Sequence, residues 1–227
     1  MLKGLWNSEA ELFDLVRCEL FTAVVGDIMD QLALFHQFLP PEIRPLRDEM
    51  VLAGKAMPVL QEDVDPDSLD GSEQPFGLML EALDDLKQNE VYFCSGSSPR
   101  YALWGELMST RALHLGAAGA VLNGYTRDTA AIISLGFPTF AYGSYAQDQG
   151  PRGRVMDYRV ALQIGSVTIE PGDILIGDVD GVCVVPFAAH EEILSKALEK
   201  VRGERKVREA LEKGMGAREA FAQFGIM

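Results

Sequence analysis

Arginine and aspartate stand side by side in Asn123-Gly-Tyr-Thr-Arg-Asp128, directly after the apolar run Gly119-Ala-Val-Leu122 and before a helix-forming stretch. The pair therefore lies beyond the carboxyl end of a strand, where open α/β sheets place their ligands. The two side chains can divide labour. A carboxylate is a hard oxygen donor suited to Mg2+ or Mn2+. A guanidinium presents a planar fork that matches a carboxylate or an enolate oxygen. A plainer arrangement uses the same residues: Arg127 pairs with a local acid, and Asp128 caps the following helix.

A second segment bears on that choice. In Trp104-Gly-Glu-Leu-Met108, Gly105 and Glu106 open a helix whose first-turn N–H groups make a ready anion site. Glu106 suits that turn through the helix dipole and could equally help hold a metal. Twenty residues, 107–126, separate Glu106 from Arg127. A helix, a turn and a strand fill that interval and return both ends to one edge of a sheet.

The elements that must position these residues follow from periodicity. Ser8 to Leu20 reads as a helix with a Ser8/Glu11 capping box. Thr22 to Leu34 reads as a second, with Thr22 as N-cap. Val51 to Leu60 fits a strand, and the acidic Gln61 to Pro75 a loop. Phe76 to Lys87 is helical in pattern. Strands at 90–94, 119–122 and 138–141 then alternate with helices at 105–115 and 128–135, a βαβ rhythm that implies parallel pairing. Tyr145 to Arg154 reads as a polar loop. Short β segments follow at 160–164, 167–169, 174–178 and 182–185, with turns at Pro171-Gly172 and Asp180-Gly181. From residue 190 to 227 the chain reads as a helical arm, kinked or broken at Gly203. The expectation is one α/β domain over 1–227 with mixed sheets and that C-terminal arm.

Composition narrows the classes. The 227 residues are 48% hydrophobic and 24% charged, enough apolar material for a real core. A net charge of −14 repels phosphate backbones and argues against nucleic acid. No apolar run has the ~18 residues of a membrane span. The N-terminal residues lack a signal-peptide pattern, so a cytoplasmic location is expected. Cys18, Cys94 and Cys183 are odd in number and widely spaced, which argues against a disulfide framework. Cys94 and Cys183 sit in strand-like runs as buried, inert thiols.

Other motifs fail on context. His36, His114 and His190 lack zinc-site spacing. Gly116-Ala-Ala-Gly119 precedes a strand and so is no dinucleotide fingerprint. Without a nucleotide-binding glycine loop, a methyltransferase is discounted. Asp178-Val-Asp-Gly181 is a hairpin turn and not a calcium loop, because Val182 takes the next ligand position.

The chain resembles the 4-hydroxy-4-methyl-2-oxoglutarate aldolase family, relatives of the regulator of ribonuclease E activity. The resemblance covers most of the sequence. It is carried by Thr22-Ala-Val-Val-Gly-Asp27, Trp104-Gly-Glu106, Gly116-Ala-Ala-Gly-Ala-Val-Leu-Asn-Gly124, Arg127-Asp128, Pro171-Gly-Asp173, Gly177-Asp-Val-Asp-Gly181 and Glu219 to Gly225. It implies a swivelling α/β/β fold, assembled as a homotrimer or homohexamer with sites between subunits. It also implies a class II pyruvate aldolase acting on 4-hydroxy-2-oxo acids, with oxaloacetate decarboxylase activity.

By that resemblance Asp128 ligates Mg2+ or Mn2+, and Glu106 reaches the metal through water. Arg127 binds the 2-oxo group and the pyruvate enolate. Gly105 lies at the substrate, and the N–H groups of Leu107 and Met108 hold its carboxylate. A neighbouring subunit's last helix supplies a further carboxylate, Glu204 or, second, Glu199. Glu106 departs from the family pattern, which usually has aspartate there; the extra methylene suits a water-mediated role better than a direct one. Tyr125, Arg100 and Tyr101 are candidates for setting substrate choice. The rival function is a non-catalytic protein that docks on a ribonuclease. The regulators lack an aspartate at the position of Asp128.

Overall fold

A computed structural model describes residues 5–65 and 76–225. The acidic stretch 66–75 expected as loop lies outside the described residues. Ser8 caps α1 (Glu9–Glu19), accepting from the Glu11 N–H at 3.2 Å. The return bond from Glu11 goes to the Asn7 N–H at 2.7 Å, so the expected box is displaced by one residue. In α2 (Thr22–Gln31) the N-cap is Phe21 and not Thr22. The helix start is capped from a distance: Asp178 accepts from the Thr22 N–H at 2.7 Å and from its hydroxyl at 2.8 Å.

The main sheet, eight-stranded among the described residues, is built around β2 (Leu52–Asp63). One edge of β2 pairs in parallel with β3 (Glu90–Ser95). The other edge changes partner along its length. Leu52 to Lys55 pair with β11 (Ile174–Asp178), and Val59 to Asp63 with β8 (Gly153–Tyr158), both antiparallel. Pro58, which has no N–H to donate, sits where the partner changes. Beyond β3 come β5 (Gly119–Leu122) and β7 (Thr139–Ala141), all parallel, and then the two-residue β1 (Arg44–Pro45). Beyond β11 lies β12 (Gly181–Val185), joined to it through the expected hairpin at Asp178–Gly181.

Side chains alternate across this sheet with the strand period of two. Met57, Tyr92, Cys94, Ala120 and Leu122 face α3 (Met79–Asp84), α4 (Glu106–His114) and α5 (Thr129–Leu135). On the same face, Ala53, Ile174 and Ile176 meet α1, α2 and the long α6 (His190–Glu212). Leu52, Ala56, Val91, Phe93 and Leu175 point the other way, onto the hairpin of β9 (Leu162–Ile164) and β10 (Val167–Ile169). Helix, sheet and second sheet thus form the three layers of the expected α/β/β class.

Other expectations change as well, and the helix expected over Phe76 to Lys87 is confined to Met79–Asp84. The strand runs on through Gln61 to Asp63, because β8 pairs with it there. The stretch Gly153–Tyr158, whose first two residues fall in the expected polar loop, is that partner strand. Gly203 neither kinks nor breaks α6, which is continuous to Glu212 before a turn at Gly214 and α7 (Ala217–Phe224). Burial of Leu194, Leu198 and Val201 against α1 and α2 holds that helix across its glycine. No helix among the described residues is long and apolar enough to cross a membrane.

Candidate active site

The Arg–Asp pair and Glu106 meet through a small ladder separate from the main sheet. Strands β4 (Ala102–Trp104) and β6 (Tyr125–Thr126) pair in parallel, Ala102 with Tyr125 and Trp104 with Thr126. The Arg127 N–H donates to the Trp104 carbonyl at 2.9 Å, and the Thr126 hydroxyl to the same oxygen at 3.0 Å. This ladder sets Gly105 and Glu106 beside Arg127 and Asp128. The juxtaposition expected from the twenty-residue interval is present.

Asp128 adopts a left-handed backbone, φ 56° and ψ 30°, at the N-cap position of α5. Its side chain makes no cap bond there. The carboxylate turns instead toward α4, with Oδ2 3.4 Å from the Glu106 nitrogen and 3.8 Å from Arg127 Nε. The helix-capping reading of Asp128 is therefore not what the chain does. The pairing reading of Arg127 is partly right: Nη1 lies 2.9 Å from Asp148 Oδ1. Asp148 was not a sequence candidate. It is held by the neighbouring Gln147, whose carbonyl accepts from the Ala102 N–H at 2.8 Å. Its own carbonyl accepts from Arg152 Nη1 at 3.1 Å, and no local sequence pattern marks it out from other acids in polar loops.

Gly105 is required by proximity. A Cβ built there would stand 2.8 Å from Asp128 Oδ2. The first intrahelical bond of α4 runs from the Ser109 N–H to the Gly105 carbonyl, so the Leu107 and Met108 N–H groups precede the ladder. They are available to an anion, with the positive end of the helix dipole behind them.

These groups border a cavity of about 270 Å³. Arg127, Asp128, Asp148, Gly105 and Trp104 are part of the lining. The Trp104 indole is fixed by donation to the Ser109 hydroxyl at 2.6 Å and by stacking near Tyr92 and Phe137. Phe76, Met79, Leu80 and Leu83 also line it, with the Gln149 amide 3.7 Å from the Met79 sulfur. Nothing in the helical pattern of Phe76 to Lys87 marks it as a cavity wall.

The remaining candidates lie elsewhere in this chain. Tyr101 is buried with its hydroxyl 2.9 Å from Asp63, and burial above all pushes its pKa up to about 12. Arg100 pairs with Asp63 at the surface. Tyr125 packs against Tyr142 and Tyr145. Glu204 is on α6 beside Lys200, at 3.6 Å, and Glu199 is exposed on the same helix. Neither glutamate lines the cavity of its own chain. His190 donates through Nδ1 to the Phe187 carbonyl and stacks on the Phe187 ring. Cys94 and Cys183 are buried as expected, with burial raising the Cys94 thiol to about 12.

The donor set fits a hard divalent cation. Among the described residues no three His, Cys, Asp or Glu side chains form a closed metal cage. Asp128, half exposed and accepting a long 3.4 Å bond from the Glu106 N–H at the start of α4, offers one carboxylate; Glu106 follows Gly105 in the chain but is not among the residues lining the cavity. Mg2+ commonly binds this way, through one or two carboxylates, keeping several waters and leaving positions for substrate oxygens.

Residues 22–184 match the family model described as RraA-like, Aldolase/RraA, and the chain belongs to that family. A protein of Halalkalibacterium halodurans named "Putative 4-hydroxy-4-methyl-2-oxoglutarate aldolase" is 30% identical over 181 residues, 79% of each chain. An uncharacterised protein of Methanocaldococcus jannaschii is 36% identical over 118 residues, which span 52% of this chain and only 56% of that protein. The crystal structure of Streptomyces coelicolor RraAS2, described as an unusual member of the RNase ES inhibitor RraA protein family, superposes with a TM-score of 0.76 at 21% identity. It covers 89% of this chain and 98% of that one, a likeness of fold.

Proposed function

We propose that the chain is a divalent-metal-dependent carbon–carbon lyase that releases pyruvate from 4-hydroxy-2-oxo acids, with oxaloacetate decarboxylation as a second outcome of the same chemistry. The observation that carries this reading is the Asp128 carboxylate turned away from its own helix and toward the start of α4, beside Arg127. Mg2+ or Mn2+, held by Asp128 with Glu106 in reach through water, would supply Lewis-acid polarisation of the 2-oxo group.

The chain's own groups do the rest. The Leu107 and Met108 N–H groups hold the substrate carboxylate. As the C3–C4 bond breaks, its electron pair moves onto the C2 oxygen, where Arg127 donates a charge-assisted hydrogen bond. Such a bond is worth about 1.5–3 kcal/mol, or roughly 10–200-fold in rate. A base takes the 4-hydroxyl proton, and protonation at C3 then gives pyruvate. Glu204, or Glu199, from a neighbouring subunit of a homotrimer or homohexamer is assigned to that proton transfer.

Pyruvate release from 4-hydroxy-4-methyl-2-oxoglutarate and oxaloacetate, followed by coupled reduction, is the direct test. Activity is expected with Mg2+ or Mn2+, to vanish on EDTA treatment and to return with metal. Persistence after thorough chelation would remove the metal from the reading. The alternative, docking on a ribonuclease, would be supported by stoichiometric recovery of a nuclease together with no lyase activity. A second outcome concerns Gly105→Ala. The added methyl must displace the Asp128 carboxylate, because it would lie 2.8 Å away. Misplacement on the order of 1 Å can cost about 100-fold in rate, so activity is expected to fall steeply. Urea unfolding is expected to change by less than about 1.5 kcal/mol.

A further inference from the structure

Resting on the lyase reading above, we infer that Asp148 is a positioning residue. It holds the Arg127 guanidinium off the Asp128 carboxylate, which leaves that carboxylate to the metal and the guanidinium to the 2-oxo group. The need for such a residue is set by the sequence. Arg127 and Asp128 are adjacent, oppositely charged and both about half exposed, so each is the other's nearest partner. A carboxylate gripped by a guanidinium fork is lost to a cation, and the fork is lost to substrate.

The guanidinium in fact leans on the acid from the loop. Asp148 Oδ1 stands 2.9 Å from Nη1, whereas Asp128 Oδ2 is 3.8 Å from Nε. Two glycines make room for this arrangement. A Cβ at Gly105 would stand 2.8 Å from Asp128 Oδ2, and one at Gly150 would stand 3.1 Å from Asp148 Oδ2. Glu106, the remaining acid nearby, makes no ion pair with Arg127 among the described residues. All of these groups belong to one chain, so the contact needs no neighbouring subunit.

Asp148 can hold the guanidinium because its loop is anchored to the ladder that carries Arg127. The Tyr145 N–H donates to the Thr126 carbonyl of β6 at 2.8 Å. The Ala102 N–H of β4 donates to the Gln147 carbonyl at 2.8 Å. Beyond Asp148, the Gln149 carbonyl accepts from the Arg152 N–H at 2.7 Å. Arg152 Nη1 donates to the Asp148 carbonyl at 3.1 Å, which leaves the Asp148 carboxylate to Arg127.

The test is a double-mutant cycle on Mn2+ binding, read by calorimetry on the full chain without substrate. Asp148→Ala is expected to weaken Mn2+ binding by about fivefold, the upper range for an exposed ion pair, here the one Arg127 then forms with Asp128. Arg127→Met removes that competitor. It is expected to strengthen Mn2+ binding by about fivefold more in the Asp148→Ala background than in the parent. With oxaloacetate at saturating Mn2+, Asp148→Ala should lower kcat by about tenfold and change KM by less than about threefold, because the Arg127 bond to the enolate is no longer aimed. Thermal unfolding of the metal-free variants should match the parent, since both partners stay about half exposed. Equal effects of Arg127→Met in the two backgrounds overturn the inference, because Asp148 then acts by its charge alone or as a metal ligand. If the cycle is additive while the parent binds Mn2+ and cleaves oxaloacetate, the inference alone fails. If the parent binds Mn2+ no tighter than Asp128→Asn does, the metal reading fails and this inference falls with it.

Discussion

Asp128→Asn is expected to lower metal-dependent pyruvate release by about 10²–10⁴-fold, the span of several kcal/mol of lost Lewis-acid stabilisation. The choice of asparagine follows from the backbone. Asp128 sits at φ 56°, in the left-handed region that asparagine adopts at less cost than alanine. Asp128→Ala would therefore combine loss of the carboxylate with backbone strain of about 1–2 kcal/mol. Asparagine keeps the shape and removes only the charge. Thermal unfolding of the variant should match the parent, while Mn2+ binding by calorimetry should weaken in step with activity. An Asp128→Asn protein within about threefold of parental turnover would move the metal site elsewhere.

Replacing Arg159 by methionine is expected to destabilise the fold by about 3–5 kcal/mol, the cost of stranding a buried charge. Arg159 grips Glu90 with both Nη atoms, at 2.8 and 2.9 Å, and reaches Asp85 through Nε at 2.5 Å. Glu90 is only 7% exposed and opens β3. Its carboxylate also accepts from the Lys87 N–H at 2.8 Å. One guanidinium thus ties the end of β8 to the start of β3 and the end of α3. The double variant Arg159→Met/Glu90→Gln should recover part of the loss, since the stranded charge is then absent. A loss below about 1 kcal/mol in Arg159→Met would mean that water replaces the fork.

The pH dependence has a definite sign. Hydrogen bonds from Lys87 first, then Arg159, hold the Asp85 carboxyl below the ordinary carboxylate value of 3.8. A depressed carboxylate stabilises above its unfolded value, and that contribution is lost as pH falls through the folded one. The Asp85 share of the difference between parent and variant should therefore shrink below pH 3.8. Because α3 carries Met79, Leu80 and Leu83, the variant should also loosen the apolar wall of the cavity.

Local signals were legible in the sequence because their physics is local. The strand at 119–122, the glycine-led start of α4 and the Asp178–Gly181 turn each follow from a few adjacent residues. The interval between Glu106 and Arg127 was legible too, since a helix and a strand of known rise must close it. Resemblance to the family added roles to those positions.

Partner choice was not legible. Gly153–Tyr158 is a strand because the second half of β2 lies beside it, about 90 residues away in sequence. Gly203 stays helical because α6 is buried on α1 and α2. The same division runs through the site. From sequence alone Arg127 and Asp128 were a pair with two readings, catalytic or structural. Tertiary structure turned the Asp128 carboxylate toward α4, gave Arg127 the partner Asp148 from a distant loop, and brought α3 over the pair as an apolar wall. Sequence fixes what each residue can do; which groups share a desolvated cavity depends on long-range packing that no local spacing records.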